Sequence, residues 1–291
     1  MDVVLTVLGI AIILVALRDM FHTLLHPAGS GGISSVVLSV AWRLSRATGH
    51  RFGPIVGPAG MVVVIGIWVA LQVVGWALIY LPGVPEAFTY SPGVNPAAYS
   101  DFAEALYFSF VTFTTVGFGD VAVIDPWMRH ATPLEALTGF ALLTSALTWF
   151  TQIYPPLTRR RALALRLHGF VESEGVERIA ALDPVTLSRM LDTVANDVAS
   201  VRVDFLQHSE GFYFAENEAQ LSLARQLPVA LRLRDAALER EEAEVQLSVR
   251  QLAVALDDLA ATLRSQFLRT GDGAEEVFEA FAVDHGWDVR E

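Results

Sequence analysis

The chain contains no cysteine, which excludes disulfides, thiolate metal sites and a cysteine nucleophile, and leaves the redox compartment unreadable. Lysine is missing too, so all 20 fixed basic residues are arginines; this reads as a base-composition bias with no mechanism attached. Positive charge is in deficit overall: the net charge of −12 argues against a nucleic-acid partner, which would need a basic face. No Gly-x-Gly-x-x-Gly follows a strand pattern, and no spaced oxygen-ligand loop of the EF-hand type occurs. Charge of either sign is scarce before about residue 155, where five arginines and eight acids stand against fifteen and twenty-four beyond it.

What fills the first half is hydrophobicity. Over 291 residues, a length that suggests two domains, 53% of side chains are hydrophobic and the mean hydropathy is +0.44. Three stretches approach the ~20 apolar residues that cross a bilayer. Ala59 to Leu81 has no charge and carries Trp76 and Tyr80 near one end, as an interfacial belt would. Pro133 to Tyr154 holds one carboxylate, Glu135. Val3 to Leu17 is short but extends to Leu25 if Arg18 snorkels. A signal peptide is the rival for this first stretch, but the start Met1-Asp2 and the following Arg18-Asp19 fit it poorly.

Loop charges give a direction. Arg18, Arg43, Arg46 and Arg51 lie between the first two spans, residues 82 to 103 have no basic residue, and Arg159, Arg160, Arg161 and Arg166 follow the last span. The positive-inside rule then predicts a multi-pass plasma-membrane protein with its N-terminus outside and its C-terminal half in the cytoplasm. In the first loop Ile33, Val36, Val37, Val40, Ala41 and Leu44 recur at helical spacing. This stripe predicts an amphipathic helix, lying on the inner leaflet or packed on the spans. His22 and His26 are one helical turn apart, which permits a metal pair; two separate interfacial histidines are the simpler reading.

Between the two strong spans, residues 101 to 113 are aromatic-rich and helix-compatible but too short to cross, so a re-entrant helix is expected. Irregular backbone at that depth is tolerated only where protein buries it or water bathes it, so the next segment should line a water-filled path. In Thr115-Val116-Gly117-Phe118-Gly119, glycine alternates with larger residues. Glycine takes positive φ readily, and alternating hands would turn successive carbonyls toward one axis. Thr115 adds a side-chain oxygen, and four copies would stack oxygen cages able to replace the water around a dehydrated cation.

Thr114 to Asp120 resembles the signature of the two-span potassium-channel pore, with Phe118 where tyrosine is commonest. The resemblance extends through Ala105-Leu-Tyr-Phe and to Gly139, and covers roughly residues 55 to 155. It implies potassium at Thr115, Val116, Gly117, Phe118 and Gly119, support from Thr114 and Asp120, and a gating bend at Gly139. It implies a homotetramer, because one loop cannot enclose an ion. Some family members hold the filter aspartate with a pore-helix glutamate; here that position is Val111, which leaves Asp120 without that partner. The nucleotide-binding regulatory domain common in related channels is absent.

Asp125-Pro126 and Thr132-Pro133 both read as helix starts, and Thr132-x-x-Glu135 matches a capping box. The alternative for Glu135 is a buried acid that buttresses the pore helix from behind. Gly139, Leu143, Ala146 and Leu147 share a face expected to line the cavity, with close helix packing as the plainer role for Gly139. Pro155-Pro156 should end the helix. Beyond it the pattern is helical: Asp183-Pro184 starts a helix, and Gly271-Asp-Gly273 precedes a last one near Ala274 to His285. Leu238, Val245, Val249, Leu252, Leu256, Leu259 and Leu263 form a heptad seam, read as the core of an intrasubunit bundle or as an intermolecular coil. Glu239 to Glu244 reads as a solvated helix face.

The expectation is an all-α membrane protein with four parts. These are an N-terminal transmembrane helix (1–25), a cytoplasmic amphipathic connector (26–54), a potassium-channel pore domain (55–156) and a helical cytosolic domain (157–291). The expected function is passive potassium conduction without an enzymatic step or cofactor, its gating influenced by the cytosolic helices. The expected partners are K⁺, the bilayer and three further copies. A weakly selective cation channel and a membrane-anchored regulatory or scaffold protein with a vestigial pore remain as alternatives.

Overall fold

The computed structural model describes residues 2–25, 31–51 and 53–288. Nine α-helices and one small sheet occur among them: α1 (Asp2–Leu24), α2 (Gly32–Ala47), α3 (Gly53–Tyr80), β1 (Phe88–Tyr90), α4 (Asp101–Phe113), β2 (Val121–Val123), α5 (Pro126–Glu172), α6 (Pro184–Gln207), α7 (Leu223–Leu238), α8 (Ala243–Leu263) and α9 (Ala274–Asp284). The all-α membrane class holds: α1, the segment Gly53–Gly83 and α5 are long and apolar enough to cross a membrane. The chain divides into two compact units, residues 1–35 with 61–151, and residues 36–60 with 152–291. The connector expected over 26–54 is therefore shared between units, and His26 lies outside the described residues.

In the first unit α1 crosses α3 where both carry glycine. A Cβ on Gly9 would fall 2.4 Å from Gly75 O, and one on Gly75 would fall 2.7 Å from Ile13 Cγ1. Small residues at such a crossing bring two backbones together and gain dispersion contacts that lipid cannot supply. Nearby, the buried Asp19 accepts from Ile33 N, Ser34 Oγ and Trp68 Nε1, each at 2.8 Å. A carboxylate of α1 thus caps the N-terminus of α2, satisfying one orphan amide, and ties α3 to the same point.

The segment after α3 pairs β1 with β2 in antiparallel register, Phe88 opposite Val123 and Tyr90 opposite Val121. This strand pair was not anticipated; three residues per strand leave little room for an alternating pattern. Phe88 packs edge-on against Tyr80 of α3 and Phe108 of α4, with ring centroids 6.4 and 5.1 Å apart. Asp125 begins α5 as expected, accepting from Trp127 N and Met128 N.

Two proline readings are corrected. Thr132-Pro133 does not start a helix: both lie inside α5, where Thr132 Oγ1 donates back to Met128 O at 2.9 Å. Pro155-Pro156 does not end one, because α5 continues to Glu172. Two prolines each remove an intrahelical bond, but Leu157, Leu163, Ala164 and Leu167 beyond them are buried, and that packing sustains the helix. The arginines there pair inside the second unit, to which they belong: Arg159 with Asp204, Arg161 with Glu216 and Arg166 with Asp197. Buried Arg160 donates to Gly211 O and Phe214 O, both at 2.6 Å.

In the second unit α6 presents Leu187, Leu191, Val194, Val198 and Val201 to the core shared with α8. The heptad residues Val245, Val249, Leu252, Leu256, Leu259 and Leu263 are fully buried in that core, so the seam packs within one chain. Leu238 does not belong to it; it ends α7 and is exposed. Asp183 caps α6 by accepting from Thr186 N, and the bonds from Thr186 hold its carboxyl below the usual carboxylate range. The run expected as a helix face at 239–244 is mostly the α7–α8 connection. Its Arg240 donates to Ile179 O, Ala180 O and Leu182 O and pairs with Glu242, bonds that favour a turn over a helix. The helix α2 packs by a different face from the stripe read in the sequence. Leu38 and Trp42 are buried, Trp42 Nε1 donates to Asp284 Oδ2 at 2.7 Å and Arg46 pairs with the same carboxylate. Val36, Val40 and Leu44 remain exposed.

Replacing Leu256 by alanine removes fully buried methyl groups from the α6–α8 core. The substitution should destabilise the protein by about 2–5 kcal/mol. Val254→Ala, on the exposed side of the same helix, should stay within about 0.5 kcal/mol. Thermal unfolding of both variants in one detergent checks the difference.

Candidate ion pore

Helix α4 spans Asp101–Phe113, the same residues that the sequence marked as a helix too short to cross. Ser100 caps it by accepting from Ala103 N, and Thr114 closes it with its amide on Phe110 O. The chain then leaves helical geometry at Thr115. Thr115 has φ +59°, Gly117 +54° and Gly119 +76°, whereas Val116 and Phe118 stay at negative φ. The hands therefore alternate along five residues, the arrangement that turns successive carbonyls the same way. A threonine at positive φ is an outlier for a β-branched residue, and such strain concentrates at functional sites. A Cβ on Gly117 or Gly119 would meet nothing within 4 Å, so conformation, not space within the chain, demands glycine there. Val116 and Phe118 are 53% and 70% exposed on the single chain.

Both ends of this loop are held. At its start Val116 N donates to Val111 O at 3.1 Å. At its end Ser91 N donates to Asp120 O at 2.8 Å, and Tyr107 OH donates to Asp120 Oδ2 at 2.6 Å. The partner that Val111 cannot supply thus comes from Tyr107, one helical turn earlier on α4. That spacing of four was readable in the sequence; the direction of the ring was not.

Behind the loop α5 meets α4 at two points one turn apart. Glu135, fully buried, has Oε1 2.5 Å from Ser109 Oγ and accepts from Tyr80 OH at Oε2, 2.8 Å away. Ser109 Oγ also lies 2.9 Å from Val73 O of α3. The capping-box role for Glu135 is overturned, because no helix starts there, and its carboxyl instead joins α4 and α3. Four residues on, a Cβ at Gly139 would lie 1.9 Å from Phe113 O, so no other residue fits without parting the helices. Of the face expected to line a cavity, Gly139, Leu143 and Ala146 do border one, whereas Leu147 is exposed outside its lining. A cavity of about 200 Å³ lies beside Thr114 and Thr115, between Ile65 and Val69 of α3 and Phe140 and Leu143 of α5. Among the described residues no cluster of three metal-ligating side chains occurs.

Residues 62–154 match the model of a family described as "Ion channel". The chain is also 25% identical, over 148 residues, to "Uncharacterized membrane protein YdjJ" of Bacillus subtilis (strain 168). That similarity covers 50% of this chain and 42% of the Bacillus protein, so the chain spans less than half the length of that relative. No solved structure matches the chain. The matched segment contains α4, the loop 115–119 and the Glu135 and Gly139 contacts, and it is by this segment that the chain is similar to ion channels.

Proposed function

We propose that the chain is one subunit of a tetrameric, potassium-selective channel that conducts passively, without an enzymatic step. The observation that carries the reading is the alternation of backbone hand at Thr115, Gly117 and Gly119, directly after a helix too short to cross a bilayer. Backbone of that shape serves stacked carbonyl ligands, and one chain supplies a single wall of such a site. The exposure of Val116 and Phe118 on the single chain fits a role for neighbouring copies in covering the loop. In this reading Thr115 to Gly119 hold dehydrated K⁺, and Thr114 and Asp120 support them. Gly139 sets the contact between inner helix and pore helix that a gating movement must preserve or break. The helices after Pro156 influence opening because α5 runs unbroken into them. The positive-inside pattern adds a plasma-membrane location with the N-terminus outside and the C-terminal helices in the cytoplasm. The exposed Val36, Val40 and Leu44 would then meet the inner leaflet.

Gly117→Ala places a side chain at φ +54°, a strain of about 1–2 kcal/mol in every copy. Potassium current in planar bilayers should vanish while native mass measurement still reports a tetramer. Wild-type-like current from this variant overturns the assignment of the loop. Reversal potentials of the unaltered channel under opposed K⁺ and Na⁺ gradients separate a selective pore from a weakly selective one. Reporter fusions at the two ends should report opposite sides of the membrane; two cytoplasmic ends would mean that α1 does not cross.

A further inference from the structure

Three buried oxygen contacts around Ser109 do not have enough protons if Glu135 is ionised. Tyr80 OH supplies one proton, to Glu135 Oε2 at 2.8 Å. Ser109 supplies one more, but its Oγ lies within bonding distance of two oxygens, Val73 O at 2.9 Å and Glu135 Oε1 at 2.5 Å. A serine hydroxyl has one hydrogen, and a backbone carbonyl only accepts. With a carboxylate at Glu135, one of these two contacts is oxygen against oxygen with no hydrogen between them. Ser109 and Glu135 are both fully buried, so water cannot intervene cheaply. Among the described residues no arginine or histidine pairs with Glu135. An unpaired carboxylate in such surroundings is costly.

We infer that Glu135 is held as a neutral carboxylic acid and donates to Ser109, whose own hydroxyl donates to Val73 O. The count then closes: Tyr80 O–H to Oε2, Oε1–H to Ser109 Oγ, Ser109 O–H to Val73 O. The acid is a positioning residue. It links α3, α4 and α5 through a directed chain of hydrogen bonds one turn from the Gly139–Phe113 contact, and so fixes the rotation at which α4 delivers Thr114 and Thr115. The consequence for conduction rests on the potassium-channel reading above; the protonation state does not.

Glu135→Gln keeps a donor toward Ser109 and an acceptor toward Tyr80, whereas Glu135→Ala removes both. The glutamine channel should retain wild-type open probability and K⁺ over Na⁺ preference, and the alanine channel should lose about tenfold or more in open probability. Infrared spectra of the full chain in lipid should contain a protonated-carboxyl C=O band that disappears in Glu135→Gln. In Ser109→Ala, which keeps Glu135, the band should move to higher frequency as its hydrogen bond is lost. A glutamine channel as impaired as the alanine one overturns the inference. So does loss of a carboxylate band instead of an acid band, or a band unmoved in Ser109→Ala. If the acid band behaves as stated but the unaltered protein passes no potassium, the channel reading fails and the neutral acid stands.

Discussion

Where α4 meets α5, the Phe113 carbonyl occupies the space that a Cβ on Gly139 would need. Two helices can approach this closely only with hydrogen in place of a side chain, and the distance they reach decides what else is possible. One turn away along both helices it brings Ser109 within reach of Glu135. On the other side of Phe113 it leaves Thr114 and Thr115 at a fixed depth, from which the backbone departs with alternating hand. Tyr107 and Ser91 then catch the far end at Asp120. The loop is therefore anchored at both ends by hydrogen bonds, which lets a strained threonine persist at its start.

How much of this was legible depended on whether a feature is local. The bounds of α4 follow from Ser100, a run of aromatic residues and the glycines beyond, all within one window. The alternation at Thr115, Gly117 and Gly119 follows from glycine placement, and Asp125 and Asp183 announce their helices by capping chemistry. The failures share a cause. Thr132-Pro133 and Pro155-Pro156 carry the local marks of helix boundaries, but burial of residues far along the chain outweighs the few bonds that proline removes. Tyr80 and Glu135 are 55 residues apart and Ser109 and Glu135 are 26 apart, and no spacing rule joins them. No role for Asp19 was readable, because its partners, Ile33, Ser34 and Trp68, come from two later helices.

The second unit illustrates the same point with opposite chemistry. Its core is a seam of fully buried leucine and valine that periodicity alone revealed. Its polar anchors were invisible: Asp284 receives both Trp42 and Arg46 across more than two hundred residues, and Arg240 collects three carbonyls of the 179–182 turn. Every one of these cationic anchors is a guanidinium, whose planar fork serves several acceptors at once. A chain without lysine has only this permanently charged cation for the task.

The two prolines inside α5 have a mechanical meaning. An α-helix resists bending because each amide is tied to a carbonyl one turn back, and Pro155 and Pro156 leave Thr151 O and Gln152 O without those ties. The same place is where the chain passes from one compact unit to the other, between Thr151 and Gln152. With two adjacent rungs missing, this turn of α5 is held by its own backbone less than the turns on either side.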